Sequence, residues 1–145
     1  MIPGEAELRV TVRAFRPDVR DLLQKRITEI AQTQAAVYGA SAEVEYQRRY
    51  PVLHNDPAQT AFCTGVIRDW LGDDGLIANA EPVTASEDFA FFLEKVPGCH
   101  VFIGNGVGSE GGCMVHNAGY DFNDRVLSTG ASYWVKLAEA YLRKG

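Results

Sequence analysis

The alternation of apolar and polar residues near the start of the chain predicts a β-strand. In the segment from residue 6 to residue 15, positions 6, 8, 10, 12 and 14 are apolar, and positions 7, 9, 11 and 13 carry charged or hydroxyl side chains. A period of two places successive side chains on opposite faces of a strand, so one face is expected to be buried. The same alternation returns between residues 42 and 50. Both segments are therefore predicted to be half-buried strands.

A helical pattern lies between these two strands. Pro17 suits the first position of a helix, where its missing N–H is not needed, and Gly39 stands where a helix commonly ends. Apolar residues recur between them at intervals of three or four, at Val19, Leu22, Leu23, Ile27 and Ile30. The first fifty residues thus predict a strand–helix–strand unit in which the helix covers the apolar face of each strand.

Two further helices are predicted after a boundary near Tyr50-Pro51. Asn55-Asp56-Pro57 reads as a helix N-cap followed by proline at the first position, and Gly72 ends that helix. Ser86 is a candidate N-cap for a second helix that carries Phe89, Phe92, Leu93 and Val96, with Glu87 and Asp88 in its first turn. The sequence divides accordingly into residues 1–50 and residues 51–145.

Short apolar runs and a last helix complete an α/β pattern. Residues 76–78 are predicted to begin a short strand or an extended stretch, and residues 101–103 are predicted to be a short buried strand. A glycine-rich segment, Gly104–Gly112, permits close backbone approach to a ligand, but it lacks the Gly-Lys-Ser/Thr ending of a phosphate-binding loop. The last helix is predicted to belong to the core through Leu127, Ala131, Trp134, Val135, Ala138, Tyr141 and Leu142.

Composition narrows the classes of function. A chain of 145 residues with 46% hydrophobic residues can bury a core as one domain or two small pieces. The net charge of −5 and the lack of a basic stripe argue against a nucleic-acid partner. The chain has no apolar run of about 18 residues, so no membrane span is expected. No signal peptide is recognised at the start. Three widely spaced cysteines favour free thiols in a reducing compartment, so a cytoplasmic location is expected.

The segment from Val115 to Asp124 carries the most specific chemistry. His116 precedes a polar turn in which four side chains are candidate acceptors for its second ring nitrogen, as a metal-ligating histidine requires: Asn117, Asp121, Asn123 and Asp124. One histidine is weak support for a metal site. The alternative is a helix-capping loop in which Asp124 is the N-cap and His116 is a surface residue.

Several separated motifs give the chain a resemblance to a known family. In collinear order they resemble the metal-dependent amidohydrolases of the hippurate hydrolase type, within the aminoacylase and carboxypeptidase superfamily that includes succinyl-diaminopimelate desuccinylase and the indole-acetyl-amino-acid hydrolases. The motifs are Ile2–Leu8 with Thr11–Arg13, Tyr50-Pro51 with Asn55–Pro57, Ser86–Phe89, Phe102–Gly106 and His116–Asp124. Two positions depart from the family pattern, because Ala118 stands where relatives often have proline and Ala85 where they often have glycine.

The resemblance implies a fold and a set of roles. The strand–helix–strand unit would be half of a ferredoxin-like lid domain, followed by the C-terminal part of an α/β zinc-peptidase-like catalytic domain. The reaction implied is hydrolysis of the amide bond of an N-acyl amino acid, in which divalent ions (Zn, Mn, Co or Ni) activate a water. His116 would bind a metal and Arg13 the substrate carboxylate, while cleft support is implied for Ser86, Glu87, Asn105 and Gly106.

Arg13 and the acidic residues Glu87 and Asp88 can each also have a purely structural role. Arg13 can equally be a solvated strand residue paired with Glu7 or Glu45. Carboxylates at positions 87 and 88 also suit a helix start without any catalytic role.

The resemblance also implies that essential parts lie outside this chain. Relatives carry a His-x-Asp ligand set, a Cys-Gly-His-Asp type segment and a Glu-Glu pair with the general base in an N-terminal half, and the resemblance places that half outside this chain. We therefore expect no catalytic residue in this chain, no tight metal binding and no activity in isolation. A homo-oligomer or a complementing N-terminal half is the expected partner, because the predicted strands have open edges. The alternative function is a stand-alone oligomerisation or binding domain.

Overall fold

Helices are the regular structure of the residues that the structure describes. The structure, a computed structural model, describes residues 3–106 and 112–143. In this part of the chain the α-helices are α1 (Pro17–Val37), α2 (Pro57–Leu71), α3 (Phe89–Leu93) and α4 (Leu127–Leu142). Short 3₁₀ segments occupy Asp73–Gly75 and Asp124–Val126.

The ends of α1 and α2 confirm the sequence prediction. Each helix begins with proline, and the Asp56 side chain caps α2 by accepting a hydrogen bond from the backbone N–H of Gln59 at 2.9 Å. Gly39 and Gly72 follow the two helices with φ angles of 70° and 74°. Glycine adopts this left-handed region without the steric cost that a Cβ would bring, so it ends a helix readily.

The predicted strands are not observed. Residues 3–106 and 112–143 contain no β-strand, which corrects the predictions at residues 6–15, 42–50, 76–78 and 101–103 and leaves the ferredoxin-like lid unobserved. Leu8 is 89% exposed and Phe102 is 75% exposed, so neither lies on a buried face. The reason is physical: alternation sets the side that a residue faces, but a strand also needs backbone hydrogen bonds to a neighbouring strand.

The first compact unit contains Met1–His54 and Glu81–Val96. Arg48 ties the segment after α1 back to that helix, because its Nη2 lies 2.6 Å from Asp21 Oδ1 and its Nε donates to Gln24 Oε1 at 2.7 Å. The rings of Tyr50 and Phe91 lie 5.9 Å apart. Residues 42, 44 and 46 are half-buried while 43, 45 and 47 are exposed, so the predicted alternation is present without a strand.

The second compact unit contains Asn55–Ala80 and Pro97–Gly145, and in it α2 packs against α4. The rings of Phe62 and Tyr141 meet edge to face at 6.1 Å, and Lys136 Nζ lies 5.4 Å from the Trp70 ring centroid. Cys63 of α2 and Tyr133 of α4 are buried. These contacts place the core of the unit between the two helices.

The prediction that the apolar residues of α4 belong to the core is wrong for the side of the helix that faces away from α2. Trp134, for example, is 67% exposed. An exposed apolar stripe follows helical spacing and is here called the outer face of α4: Leu127, Ala131, Trp134, Val135, Ala138 and Leu142. The helix therefore has two apolar sides, and α2 covers the one that carries Tyr133.

No helix within the described ranges has the length and apolarity that a bilayer crossing would require.

Candidate functional site

His116 occupies a strained position in a tight turn. The backbone N–H of Asn117 donates to the carbonyl oxygen of Met114 at 3.1 Å, so His116 is the third residue of that turn. Its φ angle is 68°, and it is the one non-glycine residue in the described ranges with positive φ. A residue with a Cβ is held in this region at a cost on the order of 1–3 kcal/mol. Because such outliers concentrate at functional sites, the strain marks His116 as a candidate functional residue.

The polar residues after His116 build the loop that continues to α4. Asn117 Oδ1 accepts from the N–H of Gly119 at 2.8 Å, and the Tyr120 N–H donates to the Asn117 carbonyl oxygen at 3.0 Å. Asn123 Oδ1 accepts from the Arg125 N–H at 3.2 Å. Asn123, and not Asp124, is therefore the capping residue, and it caps the 3₁₀ segment that precedes α4.

The second-nitrogen acceptors predicted for His116 make no bond to it. His116 is exposed, and within the part of the chain that the structure describes its ring makes no hydrogen bond to Asn117, Asp121, Asn123 or Asp124. The oxygens of Asn117 and Asn123 satisfy backbone N–H groups of the loop. The order of this loop thus comes from its own Asx-type bonds.

Asn105 connects the segment before the glycine-rich loop to the segment after His116. Its Nδ2 donates to the Asp121 carbonyl oxygen at 2.8 Å, and its Oδ1 accepts from the Asn123 N–H at 2.9 Å. Asn123 Nδ2 in turn donates to the Asn105 carbonyl oxygen at 3.1 Å. Gly106 follows with φ 111°, a conformation that disfavours any side chain. Residues 107–111 of the glycine-rich segment lie outside the described residues.

Arg13 and Ser86 meet in the first unit. Arg13 Nη1 donates to Ser86 Oγ at 3.0 Å, and both side chains are exposed. Glu7, one of the alternative partners considered for Arg13, pairs with Arg9 at 2.9 Å. The structure therefore gives Arg13 a neutral partner in place of a carboxylate.

The start and the end of α3 correct the sequence prediction. The helix begins at Phe89 with Asp88 in the N-cap position, and the Asp88 side chain makes no capping bond. Ser86 is therefore not the N-cap, Glu87 and Asp88 precede the first turn, and Val96 lies beyond the helix. Glu87 Oε1 accepts from the Phe89 N–H at 3.3 Å, so the acidic pair still leads into the helix start.

The described residues do not make a complete metal site. Within residues 3–106 and 112–143, no group of three or more His, Cys, Asp or Glu side chains is arranged to hold an ion. His54 is exposed, and His100 packs its ring edge to face against Phe102 at 5.1 Å. Zinc in proteins takes three or four protein ligands. His116 alone falls short of that number.

A cluster that sequence reasoning missed lies between α2 and α4. Burial raises the pKa of the Cys99 thiol, Thr60 opposes this effect, and the neighbouring Cys63 thiol adds to it. Burial also raises the pKa of Tyr133, and the neighbouring Cys63 thiol raises it further. No local signal points to this group, because its members are far apart in the chain and follow no ligand spacing.

Comparison with known proteins agrees with the motifs. Residues 2–140 match Peptidase family M20/M25/M40. Hippurate hydrolase of Campylobacter jejuni is 32% identical over 99% of this chain, and the putative amidohydrolase YhaA of Bacillus subtilis is 31% identical over 97%. N-acetylcysteine deacetylase of Bacillus subtilis is 30% identical over 95% of the chain. The aligned part is 36%, 36% and 34% of these three relatives.

The extent of the match shows which family the chain belongs to. The match runs from residue 2 to residue 140 and so covers nearly the whole chain. The chain belongs to Peptidase family M20/M25/M40. It spans about a third of the length of the curated relatives it matches.

Proposed function

We propose that this chain is the C-terminal part of a metal-dependent amidohydrolase that cleaves the amide bond of N-acyl amino acids. Two similar proteins support this substrate class by name, since one is a hippurate hydrolase and another an N-acetylcysteine deacetylase. The observation that carries the proposal is the left-handed backbone of His116, a strained and exposed residue within the segment that resembles the family motif.

Arg13 is the proposed site for the substrate carboxylate. Its guanidinium is exposed, and a guanidinium carries five N–H donors in a planar fork. The bond to Ser86 uses one end of that fork at Nη1 and holds its orientation. A carboxylate can then take two parallel hydrogen bonds from the remaining donors.

His116 is the proposed metal ligand, and it acts together with groups from outside this chain. The described residues supply no second and third ligand beside it. We place the remaining ligands and the general base in an N-terminal portion, here called the front portion. It corresponds to the part of the longer relatives that this chain does not match. We accordingly propose that the chain by itself binds metal weakly and has no hydrolytic activity.

Titration of zinc and manganese into metal-free protein tests the ligand. Weak binding that is lost in His116→Ala and kept in His54→Ala supports the proposal, because His54 is an exposed histidine outside the motif. Binding that is equal in both variants would assign the metal to other groups and remove His116 from the site.

Activity measurements test the incomplete site. Purified chain is expected to leave hippurate intact in the presence of zinc, manganese, cobalt or nickel. Co-expression with the front portion of a hippurate hydrolase relative is expected to give metal-dependent cleavage, which His116→Ala abolishes and His54→Ala preserves. Cleavage of hippurate by the isolated chain that depends on His116 would overturn the proposed inactivity.

A second function, a non-catalytic association domain, is favoured by the outer face of α4. This face is an uninterrupted apolar stripe along a 16-residue helix, and exposed stripes of this kind mark contact surfaces. A second copy of the chain is the partner proposed here, because two such stripes can pack against each other symmetrically.

Light scattering coupled to size-exclusion chromatography tests this second function. Trp134→Glu is expected to convert a dimer to a monomer, whereas Gln34→Glu on α1 introduces the same charge elsewhere and leaves the dimer intact. A monomeric wild-type protein, or a dimer that survives Trp134→Glu, would exclude association through this face.

A further inference from the structure

Asn105 and Gly106 form the one Asn-Gly pair in the sequence. Of the other four asparagines, two precede alanine and two precede aspartate. Asparagine is thermolabile in proteins, because the backbone nitrogen of the next residue can attack its side-chain amide. Glycine leaves that nitrogen unshielded, since it has no Cβ. The sequence therefore singles out Asn105 as the asparagine whose amide is most readily lost.

Hydrogen bonds hold Asn105 at both its side chain and its backbone. Its Nδ2 donates to the Asp121 carbonyl oxygen at 2.8 Å, and its Oδ1 accepts from the Asn123 N–H at 2.9 Å. The Asn105 carbonyl oxygen accepts from Asn123 Nδ2 at 3.1 Å. Both ends of the side-chain amide and the following peptide group are thus tied to residues 121–123.

These ties oppose the geometry that the attack requires. The Gly106 nitrogen reaches Asn105 Cγ only when the Asn105 side chain and the peptide group after it turn toward each other. The side-chain bonds restrict the first rotation, and the bond from Asn123 Nδ2 restricts the second. Burial adds little protection, because Asn105 is half-buried and Gly106 is exposed.

We propose that Asn105 is a deamidation site whose reaction is restrained in the folded chain by its hydrogen bonds to Asp121 and Asn123. The backbone nitrogen of Gly106 gives its proton to hydroxide and attacks Asn105 Cγ. A bond forms between that nitrogen and Cγ while the bond from Cγ to Nδ2 breaks. Nδ2 takes up a proton from water and leaves as ammonia, and the product is a succinimide ring.

Water then opens the ring at one of its two carbonyl carbons. Opening at the backbone carbonyl gives isoaspartate, in which the main chain passes through Cβ and Cγ, and opening at Cγ restores the ordinary main chain and gives aspartate. One water is consumed and one ammonia is released overall. The reaction therefore needs no oxidant, reductant or enzyme, and it accelerates as the pH rises because the attacking nitrogen must lose its proton.

Either product loosens the loop that follows His116. A carboxylate cannot donate to the Asp121 carbonyl oxygen, so the bond at 2.8 Å is lost and two oxygens face each other instead. Isoaspartate also adds a carbon to the main chain and displaces the groups that pair with Asn123. The modification thus removes a tie of this loop, and the inference does not rest on the proposed activity of the chain.

Peptide mapping by mass spectrometry tests the site in the full chain. Folded protein and protein in guanidinium chloride are incubated side by side at mildly alkaline pH, and the converted fraction of each asparagine is followed with time. In the denatured chain, Asn105 is expected to react before the other four asparagines. In the folded chain its rate is expected to be lower by about 10-fold or more, because two side-chain bonds must open first.

Two substitutions of amide by carboxylate in the same loop separate the pairing from the added charge. Asn123→Asp removes the donor to the Asn105 carbonyl oxygen and keeps the oxygen that accepts from the Arg125 N–H. It is expected to raise the deamidation rate of the folded chain by about 3- to 10-fold. Asn117→Asp adds the same charge and keeps the acceptor for the Gly119 N–H within its own turn, so the rate at Asn105 is expected to stay unchanged.

The wild-type comparison decides even if a variant fails to fold. A folded-chain rate that equals the denatured-chain rate would overturn the proposal, and so would another asparagine that reacts before Asn105 in the denatured chain. An Asn123→Asp rate equal to that of the wild type or of Asn117→Asp would also overturn it, because the pairing with Asn123 would then not control the reaction.

Discussion

The guanidinium of Arg13 donates a hydrogen bond from Nη1 to the hydroxyl oxygen of Ser86 over 3.0 Å, although 73 residues separate the two in the chain. Ser86 would otherwise be the obvious cap of α3, but the helix begins three residues later. The two residues that the motifs associate with a cleft are therefore in direct contact. The Ser86 hydroxyl orients the guanidinium without neutralising its positive charge. This contact is therefore compatible with a guanidinium that binds a carboxylate.

Loss of the Ser86 hydroxyl should weaken substrate binding more than turnover. In the complex with a front portion, we expect Ser86→Ala to raise KM for an N-acyl amino acid by about 3- to 10-fold with little change in kcat, since one hydrogen bond contributes roughly 0.5–1.5 kcal/mol. Ser86→Thr keeps the hydroxyl and should restore KM. Steady-state kinetics would contradict the role if kcat fell while KM stayed constant, or if threonine behaved like alanine.

Substitution of His116 should reveal the strain of its backbone. We expect His116→Gly to be more stable than His116→Ala by about 1 kcal/mol, because glycine adopts φ 68° freely whereas alanine keeps a Cβ in the left-handed region. Urea denaturation of the two variants measures the difference directly. Both lack the imidazole, so the comparison is independent of metal. Equal stabilities would show that this turn relaxes when the side chain is removed.

Helix positions could be predicted from sequence because their signals are local. Pro17 and Gly39 bracket α1, and Asp56 and Gly72 bracket α2, so that capping chemistry and helical periodicity lie within a few residues of each end. Strands were predicted wrongly because alternation carries no information about a pairing partner. Residue 44 faces inward as the pattern indicates, yet no neighbouring strand within the described ranges completes a sheet.

The candidate site, like the fold, could be predicted only where its sequence signals are local. His116 and Asn105 were found because both lie in short motifs, and the structure adds how the Asn105 side chain is used. Nothing in the sequence links Arg13 to Ser86 or Arg48 to Asp21. Such pairs are fixed by tertiary packing, and hydrophobic periodicity gives the face on which a residue lies but not the residue that it meets.

Capping by Asp56 should be measurable in the stability of the second unit. We expect Asp56→Ala to lower the free energy of unfolding by about 1 kcal/mol, because the Gln59 N–H loses its acceptor at the start of α2. Asp56→Asn retains a side-chain oxygen and should lose much less. Chemical denaturation followed by circular dichroism makes the comparison, and equal losses in the two variants would show that the cap bond is not the cause.

Alkaline pH should destabilise the fold through Tyr133. Burial raises the pKa of this tyrosine above its ordinary value of 10.0, so the folded state keeps a proton that the unfolded chain releases. The unfolded state then binds fewer protons, and stability falls as the pH rises above about 10. Below that pH the contribution of Tyr133 is constant. We expect Tyr133→Phe, which cannot ionise, to show a shallower decline, as measured by denaturation across this range. Identical slopes would assign the decline to other groups.

Replacement of the Asn105 amide should distinguish the effect of its bond to Asp121 from that of its bond to Asn123. Asn105→Ala removes both the donor to the Asp121 carbonyl oxygen and the acceptor for the Asn123 N–H. Asn105→Asp removes only the donor, because a carboxylate oxygen still accepts. We therefore expect the Asn123 amide to exchange rapidly with solvent in the alanine variant and to stay protected in the aspartate variant, as followed by hydrogen-exchange NMR.

The same two variants should also differ in stability. Loss of a hydrogen bond costs roughly 0.5–1.5 kcal/mol, so Asn105→Ala is expected to be the less stable variant by about that amount. If the Asn123 amide remained protected in the alanine variant, the loop after His116 would be ordered by its own turns at Asn117 and Asn123, and Asn105 would have no supporting role.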